Sequence, residues 1–255
     1  MTPPPERNDT SAGGVLSALR DAVRGSIRDA LAVLMPVECA GCQSYDRALC
    51  RECAHSLVAT PTIHSTPRGL RVYAAVRYEG RVRRVLLAFK NQHRTDQARP
   101  LSTALLPVLG LALKESVGED ATEPLPEIVI VPSSKRAFRI RGYHPVSLVL
   151  RAAGIRHFRV LRVAKETSSQ KLLGAKQRAV NVHGAFVATR WLGGTRVIVV
   201  DDVLTTGATI DEAARAVSAA GGTVIAAVTI GFTPRTGASS DIASGEGYGK
   251  EKGAK

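Results

Sequence analysis

The sequence predicts an α/β fold: a mostly parallel, Rossmann-like sheet flanked by helices and preceded by a small metal-binding ribbon. Three observations support this prediction. Apolar runs of strand length occur at 127–132, 197–200 and 223–230, as in strands buried on both faces of a parallel sheet. Segments with helical patterns alternate with these runs. All four cysteines lie within residues 39–53, at the spacing of a metal site.

The composition indicates a polyanionic partner. The chain has 255 residues, enough for one large domain or two modest ones, and a formal net charge of +13. Between Ser133 and Arg178 there are twelve Lys or Arg residues and a single acid, Glu166. Such a stretch favours binding to a phosphorylated small molecule or to nucleic acid, and a solvated basic surface is the alternative. Aromatic residues make up only 4% of the chain, which argues against an extensive base-stacking platform.

The sequence gives no sign of membrane insertion or export. No apolar run approaches the roughly 20 residues that a transmembrane helix needs. The N-terminal region does not resemble a secretory signal, because Arg20, Arg24 and Arg28 interrupt the apolar core that a signal requires. We therefore expect a cytoplasmic protein without a transmembrane segment.

The two ends of the chain differ from its centre. Residues 1–14 and 233–255 are rich in small and polar residues, and we expect both segments to be disordered. Residues 15–35 carry apolar side chains at helical spacing, which predicts an amphipathic helix. That helix could dock on the rest of the protein, bind a partner or lie on a membrane. Docking is favoured, because such apolar stripes usually face a core.

The four cysteines, Cys39, Cys42, Cys50 and Cys53, form two Cys-x₂-Cys pairs separated by seven residues. Two such pairs can hold one tetrahedral zinc ion through four thiolates. Metal binding is favoured over disulfides, because no cysteine is left over and the expected compartment is reducing. An iron–sulfur centre is the alternative. We expect a structural zinc ribbon over residues 36–60, too short to bury a core without its metal.

The segment 197–217 joins a buried strand to a helix through an acidic, hydroxyl-rich turn. Asp201 and Asp202 follow the apolar run, and Thr209 and Glu212 have the spacing of a capping box, which predicts a helix that begins at Thr209. A helix N-terminus with nearby hydroxyls suits a phosphate, and paired carboxylates can accept hydrogen bonds from the diol of a sugar. The segment therefore predicts a ribose 5-phosphate site. The predicted phosphate loop comprises Val203, Leu204, Thr205, Thr206, Gly207, Ala208 and Thr209.

A second anion site is predicted after the run 127–132, which ends in hydroxyls and cations. Ligands of open α/β sheets gather beyond the carboxyl ends of the strands. A solvated basic loop is the alternative interpretation of this segment. The residues concerned are Ser133, Ser134, Lys135 and Arg136.

The remaining pattern predicts one domain over residues 70–232. Residues 165–181 are polar and basic, and they form an expected mobile loop that could close over a reacting sugar. The acidic segment 115–126 is an expected linker or surface loop. Further strands are expected at 71–80 and 157–163, and helices at 82–89, 96–114 and 143–153.

The segment 197–209 resembles the phosphoribosyl diphosphate (PRPP) motif of type I phosphoribosyltransferases: an apolar strand, two acids and then Thr-Thr-Gly-x-Thr. The resemblance implies a type I phosphoribosyltransferase-like fold, with the 5-phosphate of PRPP on the loop and Mg²⁺ bridging its diol and pyrophosphate. It also implies that residues 133–136 bind the leaving pyrophosphate. The catalytic residues that it implies are Asp201, Asp202, Lys135 and Arg136.

Over residues 34–232 the chain resembles the ComF/GntX branch of phosphoribosyltransferase-like proteins, which joins a four-cysteine zinc ribbon to a type I core. Two positions depart from the pattern of that branch. His144 and Pro145 stand where it tends to have Asn-Gln, and Ile130 begins an Ile-Val-Pro sequence where it tends to have Pro-Val-Pro. The matching residues are Tyr78, Gly80, Arg84, Lys90, Arg141, Gly142, Tyr143, Gln170, Arg178 and Asn181.

Three functions follow as expectations. The first is an enzyme that binds PRPP or another ribose 5-phosphate ligand and transfers the phosphoribosyl group, with Mg²⁺, to an unidentified acceptor. The second, implied by the ComF resemblance, is an accessory factor in DNA uptake or utilisation that binds single-stranded DNA. The third is a PRPP sensor without catalysis.

Overall fold

The computed structural model of the chain describes residues 37–45, 47–116, 124–164 and 183–234. The predicted amphipathic helix, all of the predicted mobile loop 165–181 and most of the predicted C-terminal tail lie outside the described residues. None of the helices in the described part of the chain is both long and apolar enough to cross a lipid bilayer.

The centre of the fold is a five-stranded sheet in the order β1-β2-β7-β6-β3. The pairs β2–β7, β7–β6 and β6–β3 are parallel, and only the edge strand β1 is antiparallel to its neighbour. A separate two-stranded antiparallel sheet pairs β4 with β5. The strands are β1 (Thr62–Ser65), β2 (Arg71–Arg77), β3 (Glu127–Ile130), β4 (Leu161–Val163), β5 (Phe186–Ala188), β6 (Arg196–Leu204) and β7 (Thr223–Phe232).

Helices cover both faces of this sheet, which confirms the predicted α/β class. A 3₁₀ turn at Thr95–Gln97 leads into the longest helix of the described residues, Ala98–Ser116. The helices are α1 (Arg51–His55), α2 (Gly80–Asn91), α3 (Ala98–Ser116), α4 (Lys135–Arg141), α5 (Pro145–Ala152) and α6 (Ala208–Ser218).

The apolar run of β6 explains why this strand lies inside the sheet. Successive side chains of a strand point to opposite faces, so a continuous apolar run suits a strand with a core on each side. Ile198 and Val200 belong to a core layer that includes residues of α2, α3 and α5. Val197 and Val199 belong to a second layer, formed with α6 and the two-stranded β4–β5 sheet. Asp201 and Asp202, which follow in the same strand, therefore also point to opposite faces of the sheet.

Several short elements were not predicted. Strand β1 is half exposed at the sheet edge and has no apolar run, and β5 has only three residues. Helix α4 has a basic sequence without an apolar stripe, and Ser134 caps it. The predicted strand at 71–80 ends at Arg77 because Gly80 already begins α2.

Candidate functional site

The predicted phosphate loop joins β6 to α6 at the carboxyl edge of the sheet. Val203 and Leu204 are the last residues of β6, and Ala208 is the first of α6. Between them, Thr205 is exposed and Thr206 is half-buried. The first intrahelical bond runs from Asp211 N–H to Gly207 C=O at 2.9 Å, so the N–H groups that precede it have no acceptor within the helix. The loop therefore presents N–H groups and hydroxyls to a ligand.

The predicted capping box is wrong. Helix α6 begins at Ala208 with Gly207 as its N-cap, so Thr209 already lies inside the helix. Glu212 is buried and faces the other way: its Oε1 accepts a hydrogen bond from Phe186 N–H at 3.0 Å, and both of its oxygens accept from Arg215 at 2.8 Å. Sequence spacing alone could not show that a left-handed glycine would take the cap position.

Gly207 is required at this turn for two reasons. Its φ of +83° lies in the left-handed region, which side chains disfavour. A Cβ at this position would lie 3.1 Å from Pro67 Cδ and 3.2 Å from Thr66 Cα. The turn that follows β1 therefore packs directly under the phosphate loop and fixes its position.

We expect Gly207→Ala to lower the melting temperature by a few degrees and to weaken PRPP binding at least fivefold, since both the backbone strain and the contact with Thr66 displace the loop. A matched control is Gly194→Ala, at a similar φ of +72° but with nothing within 4 Å. Gly194→Ala introduces similar backbone strain but lies outside the phosphate loop, so it should lower the melting temperature and leave the PRPP affinity unchanged. Equal loss of affinity in both variants, measured by calorimetry, would remove the loop from the binding site.

The two aspartates lie side by side at the end of β6 and face opposite sides of the sheet. Asp202 forms an ion pair with Lys90 of α2, with 2.8 Å between Nζ and Oδ2 and only 24% and 19% of the side chains exposed. Asp201 lies on the α6 side, and its Oδ1 accepts a hydrogen bond from Asp202 N–H at 2.8 Å. Burial and the neighbouring Asp202 carboxylate raise the pKa of Asp201 to about 7. The pair therefore borders the loop from both faces of the strand.

The predicted second anion site lies on the adjacent strand. Because β3 and β6 are parallel and pair Ile130 with Val200, residues 133–136 share the sheet edge with the aspartates. Ser134 caps α4 and accepts a hydrogen bond from Ala137 N–H at 3.1 Å, and Lys135 and Arg136 are exposed in the first turn. The structure thus places residues 133–136 at the same sheet edge as Asp201 and Asp202.

A basic cavity of about 530 Å³ lies at this end of β3. None of the described residues that line it is acidic. Arg136 is not among the lining residues. Three arginines that the sequence did not single out, Arg139, Arg159 and Arg162, do line the cavity, and their sequence signal is the basic stretch in which they lie. The hydroxyl and cations of the lining are those of Ser133, Lys135, Arg139, Arg159 and Arg162.

A pair of stacked rings borders the basic cavity. The rings of Phe138 and His144 lie 4.6 Å apart at 24°. Burial lowers the pKa of His144, with a further contribution from Arg159 and Arg151, which favours the neutral form of the imidazole. At this position an imidazole ring, rather than the amide expected from the ComF resemblance, therefore lies beside the cations.

Several residues that match the ComF/GntX pattern form contacts between helix α2 and neighbouring segments. Lys90 pairs with Asp202, as described above. The hydroxyl of Tyr143 donates a hydrogen bond to the carbonyl of Phe89. Arg84 Nε donates to the carbonyl of Gly41 in the cysteine segment. Helix α2 thus contacts the cysteine segment through Arg84 and the acidic pair through Lys90. The sequence did not predict either contact.

The four cysteines converge as predicted. The Sγ atoms of Cys39, Cys42, Cys50 and Cys53 all lie within 4.8 Å of one another, and those of Cys42 and Cys50 are 3.7 Å apart. A tetrahedral ion with bonds of about 2.3 Å separates its sulfurs by roughly 3.8 Å. An iron–sulfur cluster distributes four thiolates over more than one iron and holds them further apart. The four cysteines are therefore positioned for a single metal ion, which suggests zinc.

The backbone around the cysteines supports thiolate ligands. Cys39 Sγ accepts hydrogen bonds from Gly41 N–H at 3.4 Å and from Cys50 N–H at 3.3 Å. Burial raises the pKa of Cys39, but these and other backbone donors outweigh it and lower the pKa to about 6. Gly41 packs against the cluster, because a Cβ there would lie 2.5 Å from Cys53 Sγ.

Residues 37–60, here called the ribbon, pack on the first core layer. Ala40 and Leu57 are buried in that layer with Val85. At the surface, Arg81 of α2 pairs with Glu52 at 2.7 Å. The ribbon is therefore docked on α2 through apolar contacts and an ion pair.

A family model matches part of the chain. Residues 122–243, a little under half of the chain, match the family model of the phosphoribosyl transferase domain. No curated protein matches the chain.

Solved structures of phosphoribosyltransferases are similar at low identity. An adenine phosphoribosyltransferase is 17% identical, covering 71% of this chain and 89% of its own, with a TM-score of 0.33. The orotate phosphoribosyltransferase of Mycobacterium tuberculosis H37Rv is 18% identical, covering 71% and 82%, with a TM-score of 0.32. These scores are too low to indicate a shared reaction. The mostly parallel sheet, its flanking helices and the matched segment together assign the type I phosphoribosyltransferase fold to the chain.

Proposed function

We propose that the protein binds PRPP and transfers its phosphoribosyl group to an acceptor in a Mg²⁺-dependent reaction. One observation carries the proposal: a glycine-capped helix N-terminus, an acidic pair and a basic cavity share the carboxyl edge of two adjacent parallel strands. This arrangement supplies a binding site for each charged end of PRPP, with the sugar bound between the two sites.

The 5-phosphate is assigned to the loop Val203–Thr209. Its contacts are the N–H groups at the start of α6 that have no acceptor within the helix, together with the hydroxyls of Thr205 and Thr206, which complement a dianion without a cationic side chain. The N-terminal end of the α6 dipole adds a partial positive charge.

The diol is assigned to Asp201 and Asp202. Carboxylate oxygens accept hydrogen bonds from sugar hydroxyls, and Mg²⁺ in phosphate sites is held by one or two carboxylates together with substrate oxygens. These residues are thus the ones that would hold the ion, and the ion would neutralise charge on the pyrophosphate as the bond to it breaks. In the absence of ligand, Lys90 provides the cation for Asp202.

The pyrophosphate is assigned to Ser133, Ser134, Lys135 and Arg136. Lys135 lines the basic cavity, and Arg139, Arg159 and Arg162 extend the positive surface around it. Cations positioned before the reaction stabilise the charge that develops on a leaving group. The predicted catalytic role of Lys135 and Arg136 rests on this electrostatic effect.

We further propose that the cysteine site holds a structural zinc ion through Cys39, Cys42, Cys50 and Cys53. All four ligand positions are taken by thiolates, which leaves none open for a substrate. The spacing of the sulfurs supports one ion rather than a cluster.

The proposal is tested by incubating the protein with PRPP, Mg²⁺ and a panel of nucleobases and measuring the pyrophosphate formed. Formation of pyrophosphate that requires both Mg²⁺ and an acceptor, and that is lost in Asp202→Asn, is the expected result. An increase in melting temperature with PRPP but no pyrophosphate would instead identify a sensor. If PRPP changed neither the melting temperature nor the amount of pyrophosphate, both the enzyme and the sensor would be contradicted.

Single-stranded DNA binding is a second candidate, favoured by one observation. The basic cavity is bordered by Phe138, whose ring is 40% exposed, so cations and an aromatic surface lie together. Affinity for an oligonucleotide should then fall steeply between 50 and 200 mM salt and survive Asp202→Asn, because phosphate contacts dominate such binding. A salt-independent affinity would exclude this function.

Lys90 is expected to position Asp202. In Lys90→Met the half-buried carboxylate loses its cation, which should lower the melting temperature by several degrees and weaken PRPP binding about tenfold. Arg83→Met, an exposed arginine of the same helix, is the control and should change neither. The double variant Lys90→Met/Asp202→Asn should recover part of the lost stability, since it leaves no unpaired charge. Purely additive losses in this cycle would show that the two residues do not interact.

A further inference from the structure

Helix α3 is uncharged and mainly apolar around its whole circumference. From Pro100 to Leu113 its sequence contains no charged residue. One side of the helix is buried against β2, β7 and α5. The opposite side is exposed among the described residues, although a helix that is apolar all round is usually buried on every side. The exposed residues of this stretch are Thr103, Leu106, Pro107 and Gly110, here called the outer row.

The outer row has the properties of a helix-packing surface. Its residues recur at intervals of three and four, so they lie along one side of α3. Leu106 is 41% exposed, and a Cβ on Gly110 would meet no atom of another described segment within 4 Å. Glycine weakens a helix interior relative to alanine, but it permits the closest approach of a second helix. The outer row therefore suits contact with another helix rather than with water.

The start of the ribbon is fixed at the N-terminal end of α3. Arg94, which directly precedes the 3₁₀ turn that leads into α3, donates from Nη1 to the carbonyl of Glu38 at 2.8 Å. Gln97 Nε2 donates to the carbonyl of Ala48 at 3.1 Å. The segment 15–35 ends three residues before Glu38, so its last residue lies within about 11 Å of Glu38. The C-terminal end of that segment must therefore lie near the N-terminal end of α3.

The segment 15–35 also has the length that the outer row requires. At 1.5 Å per residue, a helix over this segment spans about 31 Å, and α3, with 19 residues, spans about 28 Å. A helix that starts from the N-terminal end of α3 with its own C-terminal end can lie along α3 only in the antiparallel direction. The opposite ends of the two helix dipoles are then neighbours, which is favourable. With Met35 beside Ala98, Ile27 lies opposite Leu106.

We propose that residues 15–35 form a helix that lies antiparallel along α3 and covers its outer row. Apolar side chains at helical spacing provide the contact surface. Arg20, Arg24 and Arg28 each follow one of these residues by one position, so they point about 100° away from the contact and reach solvent. The inference does not depend on the proposed function. The apolar residues of the segment are Val15, Leu19, Val23, Ile27, Leu31 and Leu34.

Gly110→Leu, made in the full chain, tests the proposal by the sign of its effect. Leucine is a better helix former than glycine, so on an open surface it should raise the melting temperature. Beneath a packed helix it should lower the melting temperature by roughly 5 °C or more, because it forces the two backbones apart. Leu106→Asp is a second variant and should act in the same direction by burying a charge. Leu125→Asp, at a position that is 74% exposed and outside α3, is the matched control and should change little.

Hydrogen exchange of residues 15–35, followed by mass spectrometry, identifies the occupant. In the unmodified monomer these amides should exchange at least tenfold more slowly than in a synthetic peptide of the same residues. Most of that protection should be lost in Gly110→Leu and Leu106→Asp and kept in Leu125→Asp. Exchange at the rate of the free peptide, or a higher melting temperature in Gly110→Leu, would overturn the inference. Protection that disappears on dilution to the monomer, or that requires vesicles of anionic lipid, would also overturn it, in favour of a second copy or a membrane surface.

Discussion

Asp201→Asn should raise the stability of the ligand-free protein at pH 8 and reduce phosphoribosyl transfer at least a hundredfold. Burial and the Asp202 carboxylate raise the pKa of Asp201 to about 7 in the folded state, against 3.8 as its ordinary value. A raised pKa means that the folded state favours the protonated carboxyl. The contribution of this group to stability is thus fully present below about pH 4, and it is lost as the pH rises through 7. Asparagine has nearly the same shape as aspartate but does not ionise, so this loss of stability at high pH does not occur in the variant.

The measurement is a series of melting curves between pH 4 and pH 8. The melting temperature of Asp201→Asn should exceed that of the unmodified protein by several degrees at pH 8, because about 1 kcal/mol shifts it by about 2–4 °C in a protein of this size. The difference should vanish near pH 4, where both side chains are uncharged. A variant that is less stable at pH 8, or one that retains PRPP turnover, would show that Asp201 is not a strained functional acid.

Replacing a cysteine ligand should have the largest effect on stability. The ribbon buries few apolar side chains, notably Ala40 and Leu57, so most of its order is expected to come from the metal. In Cys50→Ser we expect loss of the bound zinc and a fall in melting temperature of roughly 10 °C or more, since structural zinc binding contributes on the order of 10 kcal/mol in small domains.

His55 supplies the control for the metal site. It lies in α1 beside the cysteines but is not part of the sulfur cluster. His55→Ala should keep one zinc per chain, as measured by elemental analysis, and a nearly unchanged melting temperature. Iron with a visible absorption band in the unmodified protein, or full metal content in Cys50→Ser, would contradict a site of four thiolates around zinc.

Much of the fold could be predicted because its strongest signals are local. The β-branched run at 197–200 and the run at 223–230 are typical of strands buried in a parallel sheet, and both are strands of that sheet. The cysteine spacing indicated one metal site, and the four sulfurs lie together. The polar edge strand β1 and the basic helix α4 left no such signal, because the first is stabilised by pairing with β2 and the second by a serine cap.

The candidate site could be predicted only in part. The order of residues after β6 indicated a phosphate loop, and the structure brings it to the same edge as residues 133–136. The cap at Gly207 could not be predicted, because it depends on contact with Thr66, which is distant in sequence. The same holds for the ion pair between Lys90 and Asp202. Long-range contacts of this kind have no periodicity in the sequence.

Binding of a ribose 5-phosphate group by residues 201–209, through its diol and its phosphate, is tested most directly by calorimetric competition. Ribose 5-phosphate should displace PRPP from the protein in the presence of Mg²⁺, whereas ribose and inorganic phosphate, each offering one half of the contacts, should do so only at far higher concentration. Asp202→Asn and Gly207→Ala should each weaken both ligands. PRPP that binds equally well to both variants, or that inorganic phosphate displaces as readily as ribose 5-phosphate does, would contradict the claim.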